Sequence, residues 1–165
     1  MNDFVIFTDS GCDTSKEVLD NWGIIKKDLT FRFNDGVEYH DSEMSSSEFY
    51  QRMKDGDVAK TSAVNSETFK EAFKEEIEKG NDVLFVAFSS GISATYNSGR
   101  IAIDELKEEY PDRKLYAVDS LCASVGAGLI LYLISEKKKA GATIEEVYEY
   151  IIKNRMKIDT WFTVE

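Results

Sequence analysis

The apolar run Val83-Leu84-Phe85-Val86-Ala87-Phe88 passes without a spacer into Ser89-Ser90-Gly91-Ile92-Ser93-Ala94-Thr95-Tyr96-Asn97-Ser98-Gly99, and a long helical pattern starts near Ser93. A continuous apolar run suits a strand buried on both faces, and such strands belong to parallel sheets covered by helices. A strand that hands over directly to a helix leaves backbone N–H groups and the positive end of the helix dipole facing outward at the turn. Small hydroxyl side chains add donors there without adding bulk. This is chemistry for holding an anion.

The rest of the chain repeats that plan. Asn2 to Thr8 reads as a buried strand, Asp9 to Ser15 as a polar turn, and Lys16 to Trp22 as a helix ended by Gly23. Ile24 to Phe33 reads as a strand, Asn34-Asp35-Gly36 as a turn, and Val37 to His40 as its return strand. Asp41 to Glu48 supplies a cap and a first-turn acid for a helix through about Met53. A second hydroxyl-rich segment, Lys60 to Phe69, follows, with Ser66 placed to cap a helix through Lys79 whose stripe is Phe69, Phe73 and Ile77. Ala94 to Tyr110 reads as a helix with Ile101, Ile103 and Leu106 inward, and Lys114 to Val118 as a strand after Pro111. An apolar helix opens at Cys122 and runs to about Lys139; Thr143-Ile144-Glu145-Glu146 opens another to about Arg155, and Ile158 to Val164 begins a last strand. The alternation predicts one α/β domain, a mostly parallel sheet with helices on both faces. Ligands in such folds sit beyond the carboxyl ends of the strands, where three polar turns fall: Asp9 to Ser15, Ser89 to Ser93 and Asp119 to Ser124.

Composition narrows the partners. With 31 acidic against 20 basic residues the formal charge is −11, a field that repels phosphate backbones, so neither nucleic acid nor anionic membrane is expected as a partner. No apolar run approaches the ~20 residues of a membrane helix, so stable membrane insertion is not expected. The start of the chain shows no basic, apolar leader, and a reducing cytoplasm is the expected compartment. Two cysteines, Cys12 and Cys122, and the single His40 leave little material for a metal, and no metal or cofactor is expected. Both cysteines follow predicted strands and are read as buried small side chains; His40 is read as a solvated hairpin residue.

No phosphate-loop spacing occurs, and Gly126 and Gly128 are read as helix-packing glycines. A serine hydrolase or acyltransferase using Ser93, Ser90 or Ser120 is the alternative function. It lacks a base near those turns in sequence, and Gly91-Ile92-Ser93-Ala94-Thr95 lacks the last glycine of a nucleophile elbow. No catalytic residue is assigned. The surplus of hydroxyls, among them Thr61, Ser62, Ser89, Ser90, Ser93, Thr95, Ser98, Ser120 and Ser124, exceeds what capping needs. Neutral donors of this kind suit a carboxylate or carboxylic acid better than a multiply charged phosphate.

Four ordered segments carry a resemblance: Thr8-Asp9-Ser10; Lys60-Thr61-Ser62-Ala63-Val64-Asn65-Ser66; Ser89-Ser90-Gly91-Ile92-Ser93-Ala94-Thr95-Tyr96-Asn97-Ser98; and Val118-Asp119-Ser120 with Gly126 and Gly128. Together they resemble the DegV family of bacterial fatty-acid-binding proteins. The resemblance implies a carrier, not an enzyme, that holds a long-chain fatty acid by its carboxyl group and presents it to a fatty acid kinase subunit for phospholipid synthesis. It implies that Thr61 and Ser93 bind the carboxyl group, with Ser62, the N–H of Ala94 and Ser120 beside them. Ala63-Val64-Asn65 and Ala94 depart from the family's usual T-S-Q-P-S and S-G-T-Y segments. The resemblance further implies residues 1–157 as a head-group-binding domain and 158–165 as the truncated start of a second domain. Alone, the first domain would bind lipid weakly or not at all unless two copies pair as a homodimer across the open tunnel wall.

Overall fold

The computed structural model describes residues 3–161. In chain order its elements are β1 (Phe4–Asp9), α1 (Lys16–Trp22), β2 (Ile24–Lys27), β3 (Thr30–Arg32), β4 (Glu38–His40), α2 (Ser46–Lys54), β5 (Lys60–Ser62), α3 (Ser66–Glu78), β6 (Asp82–Ala87), α4 (Thr95–Glu109), β7 (Leu115–Asp119), α5 (Val125–Lys139) and α6 (Ile144–Asn154). Single 3-10 turns occupy Ser10–Cys12, Asp41–Glu43 and Arg155–Lys157.

Four strands form a parallel sheet in the order β2-β1-β6-β7, with Ile6 opposite both Ile24 and Leu84 and Val83 opposite Leu115. Every residue of β6 is buried, as an interior parallel strand requires. On one face α3 and α4 pack Phe69, Phe73, Ile77, Ile103 and Leu106 against Phe7 and Phe85. On the other, α1, α5 and α6 bring Leu19, Leu131, Ile134, Val147 and Ile151 onto Ile6 and Leu84. The first face is aromatic, with Phe7 and Phe73 edge to face at 4.9 Å and the Phe69 and Phe85 rings 4.6 Å apart. Gly99 lets α4 close on it, since a Cβ there would stand 2.1 Å from the Phe85 ring.

Local chemistry sets the helix limits. Ser15 accepts from the Val18 N–H at the start of α1, and Gly23, at φ +67°, ends it. Thr143 and Glu146 exchange hydrogen bonds with each other's backbone at the start of α6, the reciprocal cap read from the sequence. For α3 the cap is Asn65, which accepts from the Thr68 N–H at 2.8 Å, and Ser66 is the first helical residue instead.

A second, three-stranded antiparallel sheet of order β4-β3-β5 stands apart from the first. The expected strand from Ile24 to Phe33 is therefore two strands in two sheets. Asp28 and Leu29 divide it, because Asp28 turns back to pair with Lys26 at 3.1 Å and the Leu29 N–H is held by the Ser10 hydroxyl at 3.0 Å. β5, which the sequence does not signal, pairs Thr61 with Phe31. The return strand is shorter than expected, and α2 begins from Ser45, whose hydroxyl accepts from the Glu48 N–H. Ile101 is exposed rather than inward, because α4 buries the Gly99, Ala102, Ile103 and Leu106 stripe. The start of α5 is Val125, since Leu121 and Ser124 adopt positive φ and keep Cys122 outside the helix. Residues 158–161 form no strand, and the remainder of the expected Ile158–Val164 strand lies outside the described residues.

Candidate functional site

At the carboxyl end of the parallel sheet the chain makes three turns, and two buried carboxylates tie them together. β1 and β7 flank β6, and each ends in Asp followed by Ser. Asp9 accepts from the N–H groups of Gly11 at 3.0 Å and Phe88 at 2.9 Å. Asp119 accepts from the N–H groups of Ser90 and Leu121, at 3.1 and 3.0 Å, and from the Ser90 hydroxyl. The turn after β6 is thus gripped from both sides. Burial pushes Asp9 up to about 6, against the lowering effect of the Phe88 and Gly11 N–H groups. Arg155 adds a third tie by donating to the Asp119 carbonyl at 2.6 Å.

Within that frame the hydroxyls divide into used and available. Ser89 accepts from the Gly91 N–H, and Ser90 is committed to Asp119. Ser93 is half-buried; its Oγ donates to Thr95 Oγ1 at 2.9 Å and accepts from the Thr95 N–H at 3.2 Å. That leaves Ala94, Tyr96 and Asn97 at the start of α4 without an intrahelical N–H acceptor, as helix geometry dictates. Ala94 is exposed beside them. Ser93 therefore sits among outward-facing N–H groups on a turn, Ser89 to Thr95, that carries no basic side chain.

Ser120 is placed differently. It is fully buried, and its hydroxyl donates to the Cys122 carbonyl and accepts from the Cys122 N–H, so it stabilises the β7–α5 turn from within. Thr61 and Ser62 are exposed on β5. Successive strand residues point to opposite faces, so Thr61 shares the face of its partner Phe31 while Ser62 shares that of Thr30. Both segments lead onto the same face of the main sheet: Val64, two residues after β5, and Tyr96, in the first turn of α4, belong to the same aromatic core.

The other candidates resolve structurally. Cys12 and Cys122 are free and buried, and burial pushes the Cys12 thiol up. Gly128 faces Thr14 and the Cys12 carbonyl, and Gly126 faces Thr160 and Cys122, so both are packing glycines. His40 is exposed on β4, its backbone N–H held by Glu43, and among the described residues its ring has no hydrogen bond to Ser90, Ser93 or Ser120. Among those residues no group of three or more His, Cys, Asp or Glu could hold a metal, and no helix is long and apolar enough to cross a membrane. Sequence reasoning placed Asp9 and Asp119 in the polar turns and the family segments but gave them no role, although the repeated Asp-Ser at the ends of two predicted strands was there to single them out.

A family model described as "Uncharacterised protein, DegV family" matches residues 3–165. The chain belongs to the DegV family. A DegV domain-containing protein of Clostridium perfringens is 40% identical over all of this chain, which spans 57% of that relative's length. A Thermotoga maritima protein whose structure reveals fatty acid binding function is 33% identical, with a TM-score of 0.80, and the match covers 95% of this chain and 56% of that one. A stearic-acid-binding protein of Eubacterium ventriosum gives a TM-score of 0.82 at 27% identity, over 90% of this chain and 52% of its own. The DegV chain thus spans a little over half the length of the proteins it resembles, and the strands, turns and helices described above are that shared portion.

Proposed function

We propose that this DegV chain holds a long-chain fatty acid by its carboxyl group, with Thr61 and Ser93 as the principal hydroxyl donors, the Ser93 proton turning from Thr95 Oγ1 to the ligand, and the Ala94 N–H beside Ser93. The observation that carries the reading is the start of α4, where a half-buried serine stands among N–H groups with no intrahelical acceptor on a turn free of basic side chains. Such a site offers neutral hydrogen bonds to one carboxyl group and no full charge for a phosphate. Fatty acid binding in relatives at 33% and 27% identity supports the choice of ligand. Ser62 contributes through its backbone, because its side chain faces away from Thr61, and Ser120 contributes by fixing the neighbouring turn. In this reading the protein is a carrier that presents the acid to a fatty acid kinase subunit for phospholipid synthesis in the cytoplasm.

Residues 1–157 are then the head-group domain, and residues 158–165 lead toward a second one. The outer face of α5 supports this division: Val125, Leu129 and Tyr132 recur at helical spacing and are exposed, with Leu121 close in the preceding turn. Solvent extraction of the purified protein followed by mass spectrometry is expected to yield a long-chain acid. Thr61→Ala and Ser93→Ala each remove a hydrogen bond to a charged group, about 1.5–3 kcal/mol, so affinity should fall at least tenfold per substitution in a fluorescent fatty-acid displacement assay. A double variant that retains the acid as well as wild type would sink the assignment.

A further inference from the structure

The two halves of the proposed clamp stand on bodies with separate cores. Ser93 belongs to the parallel sheet. Thr61 belongs to residues 30–62, whose own core is Phe31 and Phe33, both buried, with Tyr39 and Phe49 around them. Arg52 closes that core, its guanidinium 4.0 Å from the Phe33 ring and its nitrogens paired with Asp35 at 2.8 Å and Asp57 at 2.7 Å. Neither Phe31 nor Phe33 joins the clusters that flank the main sheet, and no residue of α2 is fully buried. Packing between this unit and the main layers is slight.

What joins the two bodies is narrow and polar. The Ser10 hydroxyl accepts from the Leu29 N–H, and the Leu29 carbonyl accepts from the Asp41 N–H at 3.1 Å. Lys26 on β2 pairs with Asp28, both side chains largely shielded from solvent. On the exit side only Val64 is anchored in the main core. Between the bodies lies an open depression of about 510 Å³, with Ser10, Ser15 and Lys26 on one wall and Phe31, Phe49 and Tyr50 on the other. The facing surfaces are therefore not packed together.

We propose that residues 30–62 form a flap that pivots about Lys27–Leu29 and Ala63–Asn65, moving Thr61 relative to Ser93, with the Ser10 hydroxyl as the latch that holds the first pivot through the Leu29 N–H. The gating role rests on the carboxyl-binding reading above; the pivoting itself does not. A unit with its own core and few shared contacts opens as a block, at lower free energy than the sheet beneath it.

Hydrogen exchange followed by mass spectrometry on the ligand-free chain tests the motion. Residues 30–62 are expected to exchange together and faster than β1 and β6. Ser10→Ala removes the latch and should speed exchange in that block roughly fivefold, the equivalent of one ordinary hydrogen bond, with β1 and β6 unchanged. Phe49→Ala is the second variant, expected to abolish protection in residues 30–62 while the main sheet keeps its own. Exchange of residues 30–62 in one step with β1 and β6, or a Ser10→Ala effect spread over the whole chain, would overturn the flap. Stopped-flow release of a fluorescent fatty acid then tests the gate: faster release from Ser10→Ala supports it, and an unchanged rate refutes it. If wild type takes up no fatty acid, the binding reading fails, while the exchange data still decide whether the flap exists.

Discussion

Asp9 shows how a single side chain can both build the site and burden the protein. Its two oxygens join the first turn to the turn after β6, yet burial raises it from 3.8 to about 6, so the ionised form is held against an opposing cost. A raised folded value means that this group's stabilisation is complete below 3.8 and is lost as pH climbs through about 6, a change of roughly 3 kcal/mol. Asp28, whose carboxyl lies below its ordinary value through hydrogen bonds from Ser42 and Lys26 that overcome its burial, works in the opposite direction and loses stabilisation as pH falls. Asp9→Asn should remove the decline between pH 4 and 6 in urea-unfolding midpoints. Near neutrality it should raise stability by about 1–2 kcal/mol, because relief of the roughly 3 kcal/mol cost of the buried charge outweighs what is lost when one amide oxygen serves two backbone donors. An unaltered pH profile in that variant would show that Asp9 does not titrate in this window. At this scale the sequence identified Thr61, Ser62, Ser93 and Ala94 as segment members but did not separate their directions. Facing is decided by the β3–β5 register, and Ser120's burial by the turn it closes, neither of which is encoded at the residue itself.

The elements differ in how much of their cause is local. α1, α3 and α6 were legible to within a residue or so because cap, stripe and stop all sit inside or beside the helix. β6 was legible because strands buried on both faces need only an unbroken apolar run. β3 and β5 were not: each is three residues long, and β5 is wholly exposed and reads Lys-Thr-Ser, so only pairing with a partner makes it a strand. The division of Ile24–Phe33 was hidden for a similar reason, since the Ser10 hydroxyl that helps divide it lies 19 residues from Leu29. Close packing makes its own prediction. Gly99→Ala places a methyl 2.1 Å from a ring carbon of Phe85, whose neighbours are Phe69 and Phe73. Overpacking of this kind costs about 1–3 kcal/mol, so calorimetry should show Tm lower by several degrees. A variant that melts with wild type would mean that α4 can lift off the sheet freely.

For the whole molecule, the topology gathers the three polar turns after β1, β6 and β7 at the carboxyl end of the parallel sheet, where counting strand-to-helix turns in the sequence puts them. The balance of apolar surface sets what the proposed site can retain. A tail of ~15 carbons at about 0.8 kcal/mol per buried CH₂ loses several kcal/mol if half of it stays in water. Isothermal titration is therefore expected to show this chain binding a C16 acid at least a hundredfold more weakly than a full-length relative. Equal affinities measured on a monomer would refute the need for a second covering surface. The charge of −11 should also disfavour retention on anionic vesicles, which flotation with phosphatidylglycerol liposomes can check.

The position of β1 has a consequence for how the chain acquires its shape. Phe4 pairs with Asp82, so the central ladder cannot close until a segment 78 residues further along has been made. The small sheet closes much sooner, because Arg32 meets Glu38 and Lys60 within 28 residues. Short loops cost less chain entropy than long ones, and non-local pairing slows folding. On a ribosome, where synthesis runs from the N-terminus, the body that carries Thr61 has all its pairing partners before the first strand of the main sheet has its central neighbour.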